Sequence, residues 1–290
     1  LEIIGEVSKD IMATAVASAI KKTYPNIPII ISTFHPEIWL HNTDVFRVYK
    51  TDTALYFYEN YIVGKNTKIF KLDPYNSQEF LIEKKHLIEA WCDICEVPYK
   101  NEQPKIFFTA REREVAKKML GSGEKPIFLI QINGEVGGMP YLVPQGRDFS
   151  FSQAEEISDH MIELGYDIVQ VTNSPEKNIR GSRPIMLENR LLMATLPFTS
   201  KRLFIDTFLQ HASAAQNITG VVVWNTLDEE RHGYKIHQNI RPKESETWRN
   251  FRENFIEEFR MTKTPINFEP PKEIETIHTT ESILKALKIQ

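Results

Sequence analysis

Short apolar runs alternate with helical periodicities along most of the chain. Leu1–Ile4 ends at Gly5, after which Ile11, Met12, Ala15, Val16, Ala19 and Ile20 recur at the three-and-four spacing of one helix face. The β-branched run Ile27–Ser32, with turn-forming Pro25, Asn26 and Pro28 at its entry, completes a strand–helix–strand opening. The pattern is then less regular as far as Phe108. Val45–Val48 and Ile69–Leu72 predict short strands, and Glu79–Glu96 and Arg111–Leu120 predict helices. Turn-rich Gly121-Ser122-Gly123-Glu124-Lys125-Pro126 predicts a linker. Beyond it Ile127–Ile132 predicts a buried strand, followed by a loop carrying Gly134, Gly137, Gly138 and Gly146. Ser152-Gln153-Ala154-Glu155 fits a capping box for a helix that runs to Leu164 and stops at Gly165. Asp167–Thr172, Arg202–Asp206 and Gly220–Trp224 predict further strands with helices between them. Trp248–Phe259 reads as an amphipathic helix, Pro265–Pro271 as a connector and Thr280–Leu287 as a final short helix.

Regular alternation of strand and helix predicts an α/β fold with parallel sheets. A chain of 290 residues exceeds the usual single domain, and the linker divides it into residues 1–122, residues 123–262 and a terminal segment, residues 263–290. Ordinary apolar and charged fractions exclude disorder. A net charge of −4 gives no general attraction to nucleic acid, so a small anionic ligand would need a local cationic pocket. The longest apolar stretches, such as Ile27–Ile31 and Val221–Trp224, are far shorter than the ~20 residues that cross a bilayer. The opening residues do not read as a signal peptide. Cys92 and Cys95 have the C-x-x-C spacing of a redox pair or half a zinc site. They also share a helical stripe with Leu87, Ile88 and Trp91, and no second pair completes a zinc site. They are therefore expected as core residues in a reducing, cytoplasmic compartment.

Loops after strands are where such sheets bind ligands, and three of them carry candidate chemistry. Asp10 stands directly before the first helix, either as an N-cap or as a general base facing a cleft. Asp206-Thr207 precede the helix that carries His211, and free N–H groups at a helix start suit a pyrophosphate or accept a cap. His211 is either a ligand contact or a packed helical histidine. Arg147, in the glycine-flanked loop, is either a phosphate clamp or a solvated charge. No D-x-D segment and no His/Cys/carboxylate cluster with ligand spacing is present, so neither a metal nor another cofactor is expected.

Taken in order, these segments resemble glycosyltransferase family 9, the ADP-heptose:lipopolysaccharide heptosyltransferases. Lys9-Asp10-Ile11-Met12 leading to Tyr24-Pro25 is similar to the family's opening. Arg147-Asp148-Phe149-Ser150 is similar to its segment entering a second-domain helix, and Asp206-Thr207 with His211-Ala212 to its Asp-Ser/Thr segment with a following His. Val221–Trp224 leading to Thr226 and Gly233-Tyr234, and the final Ile274–Leu287, continue the likeness, which covers nearly the whole chain. Two positions depart from it. Lys9 stands where the family has Gly, which would place a cation beside Asp10, and Phe208 stands where a Gly often follows.

The resemblance implies two Rossmann-like domains facing a cleft, the GT-B arrangement, with the C-terminal helix returning to the first domain. It implies an inverting transferase that moves a heptose or related sugar from a nucleotide-diphosphate donor to a hydroxyl of a glycan or glycolipid acceptor. Asp10 would be the base, while Arg147, Glu176, Asp206, Thr207 and His211 would hold the donor. A glycolipid acceptor would bring peripheral membrane contact. The alternative on the same fold is a catalytically silent nucleotide-sugar-binding or partner protein. A nicotinamide oxidoreductase is disfavoured because no G-x-G-x-x-G follows the first strand or Ile127–Ile132.

Overall fold

Two parallel sheets organise the chain in the computed structural model, which describes residues 1–51, 53, 55–121, 123–134, 148–172, 178–225, 229–242 and 278–288. It divides into one unit of Leu1–Ala110 with Ala214–Gln216 and another of Arg111–Ser213 with Asn217–Gln290.

In the first unit β1 (Glu2–Ile3), β2 (Ile30–Thr33) and β3 (Arg47–Lys50) pair in parallel in the order β1-β2-β3. Between the first two strands runs α1 (Val7–Thr23), in which every residue from Asp10 to Ile20 is buried. Alanines at 13, 15, 17 and 19 keep it thin enough to be packed on all sides, which is the signature of an interior helix. After β3 come α2 (Phe57–Tyr61), α3 (Gln78–Leu81) and α4 (Leu87–Ile94). The helix expected over Glu79–Glu96 is thus broken in two, and Lys84 between the halves has φ 56°, outside the helical region. Ile69–Leu72 forms no strand; Phe70 O only accepts one bond from Glu2 N at 2.9 Å. The C-x-x-C pair is core, as expected: both cysteines are buried, and burial raises both thiols, Cys95 to about 12.

The second unit begins with α5 (Ala110–Leu120), apart from its first residue. The boundary therefore precedes this helix rather than following it at the glycine-rich turn. Ala116 and Leu120 are buried, Glu112 pairs with Arg190 at 2.6 Å, and Gly121, at φ 79°, serves as the helix stop. Next come β4 (Ile127–Ile130), α6 (Phe151–Glu163), β5 (Asp167–Val171), β6 (Arg183–Ile185), α7 (Asn189–Thr195), β7 (Lys201–Ile205), α8 (Phe208–Ala215), β8 (Val221–Val223), α9 (Glu229–His232), β9 (Gln238–Ile240) and α10 (Thr280–Ala286). The sheet order is β6-β5-β4-β7-β8-β9, all parallel. This is the 3-2-1-4-5-6 order of a doubly wound fold, whose direction reverses between β4 and β7.

The cap of α6 is Ser150, whose hydroxyl accepts from Gln153 N, so the box starts two residues before the expected Ser152. Gly165 stops the helix as expected, at φ 86°. The expected return of the final helix to the first domain is corrected by the structure. Ile283 and Leu287 are buried among Phe128, Ile130 and Ile157 of the second unit, and Lys201 Nζ donates to Leu287 O at 2.5 Å. Thr280 also binds Glu156 of α6 at 2.6 Å. The apolar stripe of α10 is thus spent on the larger sheet. The expected helix Trp248–Phe259 and connector Pro265–Pro271 lie outside the described residues. Among the described residues no helix is long and apolar enough to cross a membrane.

Candidate functional site

Asp10 is not an N-cap. The helix begins at Val7 with Glu6 as the flanking residue, which places Asp10 one turn inside and wholly buried. Its Oδ1 accepts from Thr33 Oγ1 at 2.6 Å and from Trp39 Nε1 at 2.7 Å. Thr33 ends β2, and Trp39 lies in the short 3-10 turn Pro36–Trp39 that follows. Oδ2 is buried with no hydrogen-bond partner among the described residues. Burial raises the carboxyl to about 6, against the Thr33 and Trp39 hydrogen bonds and the nearby His35, which favour ionisation. His35 itself is raised, chiefly by its bond to Glu37, and its Nε2 meets Gly5 O at 3.2 Å.

Lys9 does not act on this carboxylate as its place in the sequence suggests. Its ammonium pairs with Asp73 at 2.5 Å, donates to Ile4 O at 3.2 Å and lies over the Tyr75 ring. The cation is spent on tying the β1–α1 loop to the segment before α3, and Asp10 keeps a raised rather than a lowered pKa.

In the second unit, polar side chains gather at the carboxyl ends of the central strands. Thr207 Oγ1 donates to Gln131 Oε1, linking the end of β7 to the end of β4 across the point where strand order reverses. Gln210 Nε2 donates to Asp206 Oδ1 at 3.2 Å. His211 lies 3.8 Å from the same oxygen through Nε2, and its Nδ1 meets Tyr234 OH at 2.9 Å with the two rings edge to face. The packed alternative therefore describes the surroundings of His211. Asp206, Thr207 and His211 are brought together here, while Arg147 and Glu176 lie outside the described residues.

A second network stands beside it. Gly134 N donates to Asp148 Oδ1 at 2.8 Å, Asn225 Nδ2 to Asp148 O at 2.6 Å, His278 Nε2 to Asn225 Oδ1 at 2.8 Å and Gln153 Nε2 to His278 O at 2.6 Å. Burial lowers His278 to about 4, so it is neutral at pH 7 with the proton on Nε2. Among the described residues no group of three or more His, Cys, Asp or Glu could hold a metal ion.

No protein-family model matches the sequence, and no curated protein is significantly similar to it. Solved structures are similar in shape over almost the entire chain. The glycosyl transferase family 9 protein from Veillonella parvula superposes with TM-score 0.69 at 12% identity, covering 99% of this chain and 94% of that one. Escherichia coli ADP-heptose LPS heptosyltransferase II gives 0.64 at 10%, covering 99% and 96%. The dodecameric iron-containing E. coli heptosyltransferase TibC, solved with ADP-D-beta-D-heptose, gives 0.64 at 12%, covering 99% and 74%. The fold is that of the family 9 glycosyltransferases. The expected likeness is borne out at the level of fold.

Sequence reasoning missed Thr33, Trp39, Gln131, Asn225 and His278. Thr33, Gln131 and Asn225 each stand at or just past the carboxyl end of a strand, a signal that was available once the strands were located. Trp39 and His278 reach their partners only through tertiary packing.

Proposed function

We propose that the chain is an inverting, metal-independent glycosyltransferase with GT-B architecture, moving a sugar from a nucleotide-diphosphate donor to a hydroxyl of a glycan or glycolipid. The observation that carries this reading is Asp10. One carboxylate oxygen is fixed by two donors, the other has none among the described residues, and burial raises the group to about 6. That is the form of a general base, with Oδ2 as the atom that takes the acceptor proton.

Donor binding is assigned to the second unit. The N-terminus of α8, with Asp206 and Thr207 before it, offers N–H donors to a diphosphate at the switch point of the sheet. Arg147 is assigned the phosphate clamp, Glu176 a contact to the nucleoside, and His211 the positioning of Asp206. ADP-linked heptose appears in the names of two of the similar proteins, which favours a nucleotide-sugar donor of that class. Charge on the departing diphosphate would then be met by the helix start and Arg147. Because one similar protein is iron-containing, treatment with EDTA is a necessary control. A turnover abolished by EDTA and restored by a divalent cation would transfer this role to a metal.

Complete burial of Asp10 favours a second reading, a catalytically silent sugar-nucleotide binder in which Asp10 ties α1 to β2. Under the first reading the acceptor hydroxyl reaches Oδ2 only as the residues covering it yield. Asp10→Asn separates the two, since Asn keeps an oxygen for Thr33 and Trp39 but cannot take a proton. A folded variant that binds donor and loses transfer fits the enzyme. Transfer undiminished in that variant would exclude Asp10 as base.

A further inference from the structure

His278 is a buried histidine to which the proposed sugar transfer gives no part. It stands immediately before Thr279, the cap of α10, so the packing of Ile283 and Leu287 in the core of the second unit fixes where it lies.

The direction of each bond in its network follows from one backbone atom. Asp148 O can only accept, so Asn225 turns its Nδ2 toward it, at 2.6 Å. That leaves the amide oxygen of Asn225 facing His278, which must then donate from Nε2, at 2.8 Å. Burial keeps the ring neutral, and Nδ1 is buried with no hydrogen-bond partner among the described residues. Only one tautomer serves, so the histidine acts as a donor of fixed polarity.

What the network grips is the turn into α6. Asp148 Oδ1 accepts from Gly134 N at 2.8 Å, Phe149 N donates to Ile132 O at 2.9 Å, and the rings of Phe149 and His278 have centres 6.3 Å apart. Gln153, in the first turn of α6, donates to His278 O at 2.6 Å. Gly134 and Asp148 thus join the two ends of residues 135–147, and the segment before α10 holds that join from 125 residues beyond Gln153. Gly134 follows β4 and Asn225 follows β8, so the join lies at the carboxyl ends of the strands, where donor binding is assigned.

We infer that His278 is a positioning residue for the donor: by orienting the Asn225 amide it fixes Asp148, the neighbour of Arg147 in sequence, where the loop after β4 enters α6. This role rests on the donor reading proposed above, and it is exerted through Asn225 rather than on the donor. A histidine that merely filled space could be replaced by any side chain of similar size. The geometry asks instead for an N–H at the Nε2 position, which glutamine supplies and leucine does not.

The test uses the full chain and three variants, His278→Leu, His278→Gln and Asn225→Asp. Amide hydrogen exchange at Gly134 reads the join without ligand, and calorimetry with ADP reads donor binding. His278→Leu should speed exchange at Gly134 about tenfold relative to the core amide of Val222 and weaken ADP binding about tenfold, the scale of one buried hydrogen bond. His278→Gln should recover most of both. Asn225→Asp has the same shape and still accepts from His278, but it cannot donate to Asp148 O. It should behave as His278→Leu does, and it decides the matter if the leucine variant does not fold. Unaltered exchange at Gly134 in the folded variants, or a glutamine variant no better than leucine, would overturn this role. So would faster exchange with ADP affinity unchanged. Wild type that bound no ADP would overturn the donor reading and this role together, whereas equal ADP binding by wild type and His278→Leu would overturn the role alone.

Discussion

The chemistry at Asp10 rests on which side of the carboxylate is occupied. With Thr33 and Trp39 both on Oδ1, protonation falls on Oδ2, and burial opposes the charge strongly enough to raise the group from 3.8 to about 6. Turnover that needs the ionised base should rise with pH through about 6, and Asp10→Asn should lower it by roughly 10²–10⁴-fold. Stability should run the other way. The folded state holds the proton more tightly than the unfolded state, so this contribution is fully present below pH 3.8 and lost as pH rises through about 6. Its size is about 3 kcal/mol by the usual conversion of pKa shift to energy. Urea unfolding of wild type and Asp10→Asn at pH 4 and pH 7 isolates it. The difference in stability should move toward the variant by roughly that amount as pH rises. A difference independent of pH would remove the raised carboxyl. Asp10 was identifiable from its place after the first strand, but its twofold hold was not, because Trp39 is brought to it only by a turn after β2.

Among the elements, those with a long periodic face were legible and those set by edges or partners were not. α1, α5 and α6 have clear three-and-four spacing and lie within a few residues of where it puts them. β6 and β9 escaped notice because Arg183-Pro184-Ile185 and Gln238-Asn239-Ile240 are three-residue edge strands with a single β-branched residue each. The partner of α10 was misassigned for a different reason: an apolar stripe states that a face is buried and says nothing of what buries it. With Ile283 wholly buried among β4, α6 and β7 residues, Ile283→Ala should cost roughly 2–4 kcal/mol. Chemical denaturation followed by a probe in the second unit measures this directly. A loss confined to the first unit's transition would contradict the packing seen here. Arg202, at the base of β7, makes a similar point, since among the described residues it is buried without a carboxylate and donates instead to the carbonyls of Leu196, Thr199 and Thr219. Such a cation satisfied by backbone has no pattern in the sequence.

At the scale of the whole chain, the division into two units sets which part should answer to donor and which to acid. His237 and His278, both in the second unit, are lowered by burial from 6.5 to about 4. The unfolded chain therefore takes up their protons first, and each contributes about 3 kcal/mol that is present above pH 6.5 and lost as pH falls through about 4. Asp10 acts oppositely in the first unit, so acidification from pH 7 to pH 4 should weaken the second unit selectively. Donor should move the same unit. Thr207, Asp206 and the start of α8 belong to it, as do α5 and α10, so a fragment spanning residues 111–290 contains every element of the larger sheet and its core. That fragment should fold and gain about 2.7 kcal/mol from a nucleoside diphosphate at a hundred times its dissociation constant. A shorter fragment spanning residues 124–261, which the sequence alone recommends, lacks α5 and loses Ile283, Leu287 and His278. It should unfold at lower denaturant or fail to fold. Thermal unfolding of both fragments and of the full chain, with and without ADP, distinguishes the outcomes. If ADP stabilised a folded first unit and left the residue 111–290 fragment unmoved, donor binding would have to be reassigned to the smaller sheet, and Asp10 would lie on the donor side of the reaction.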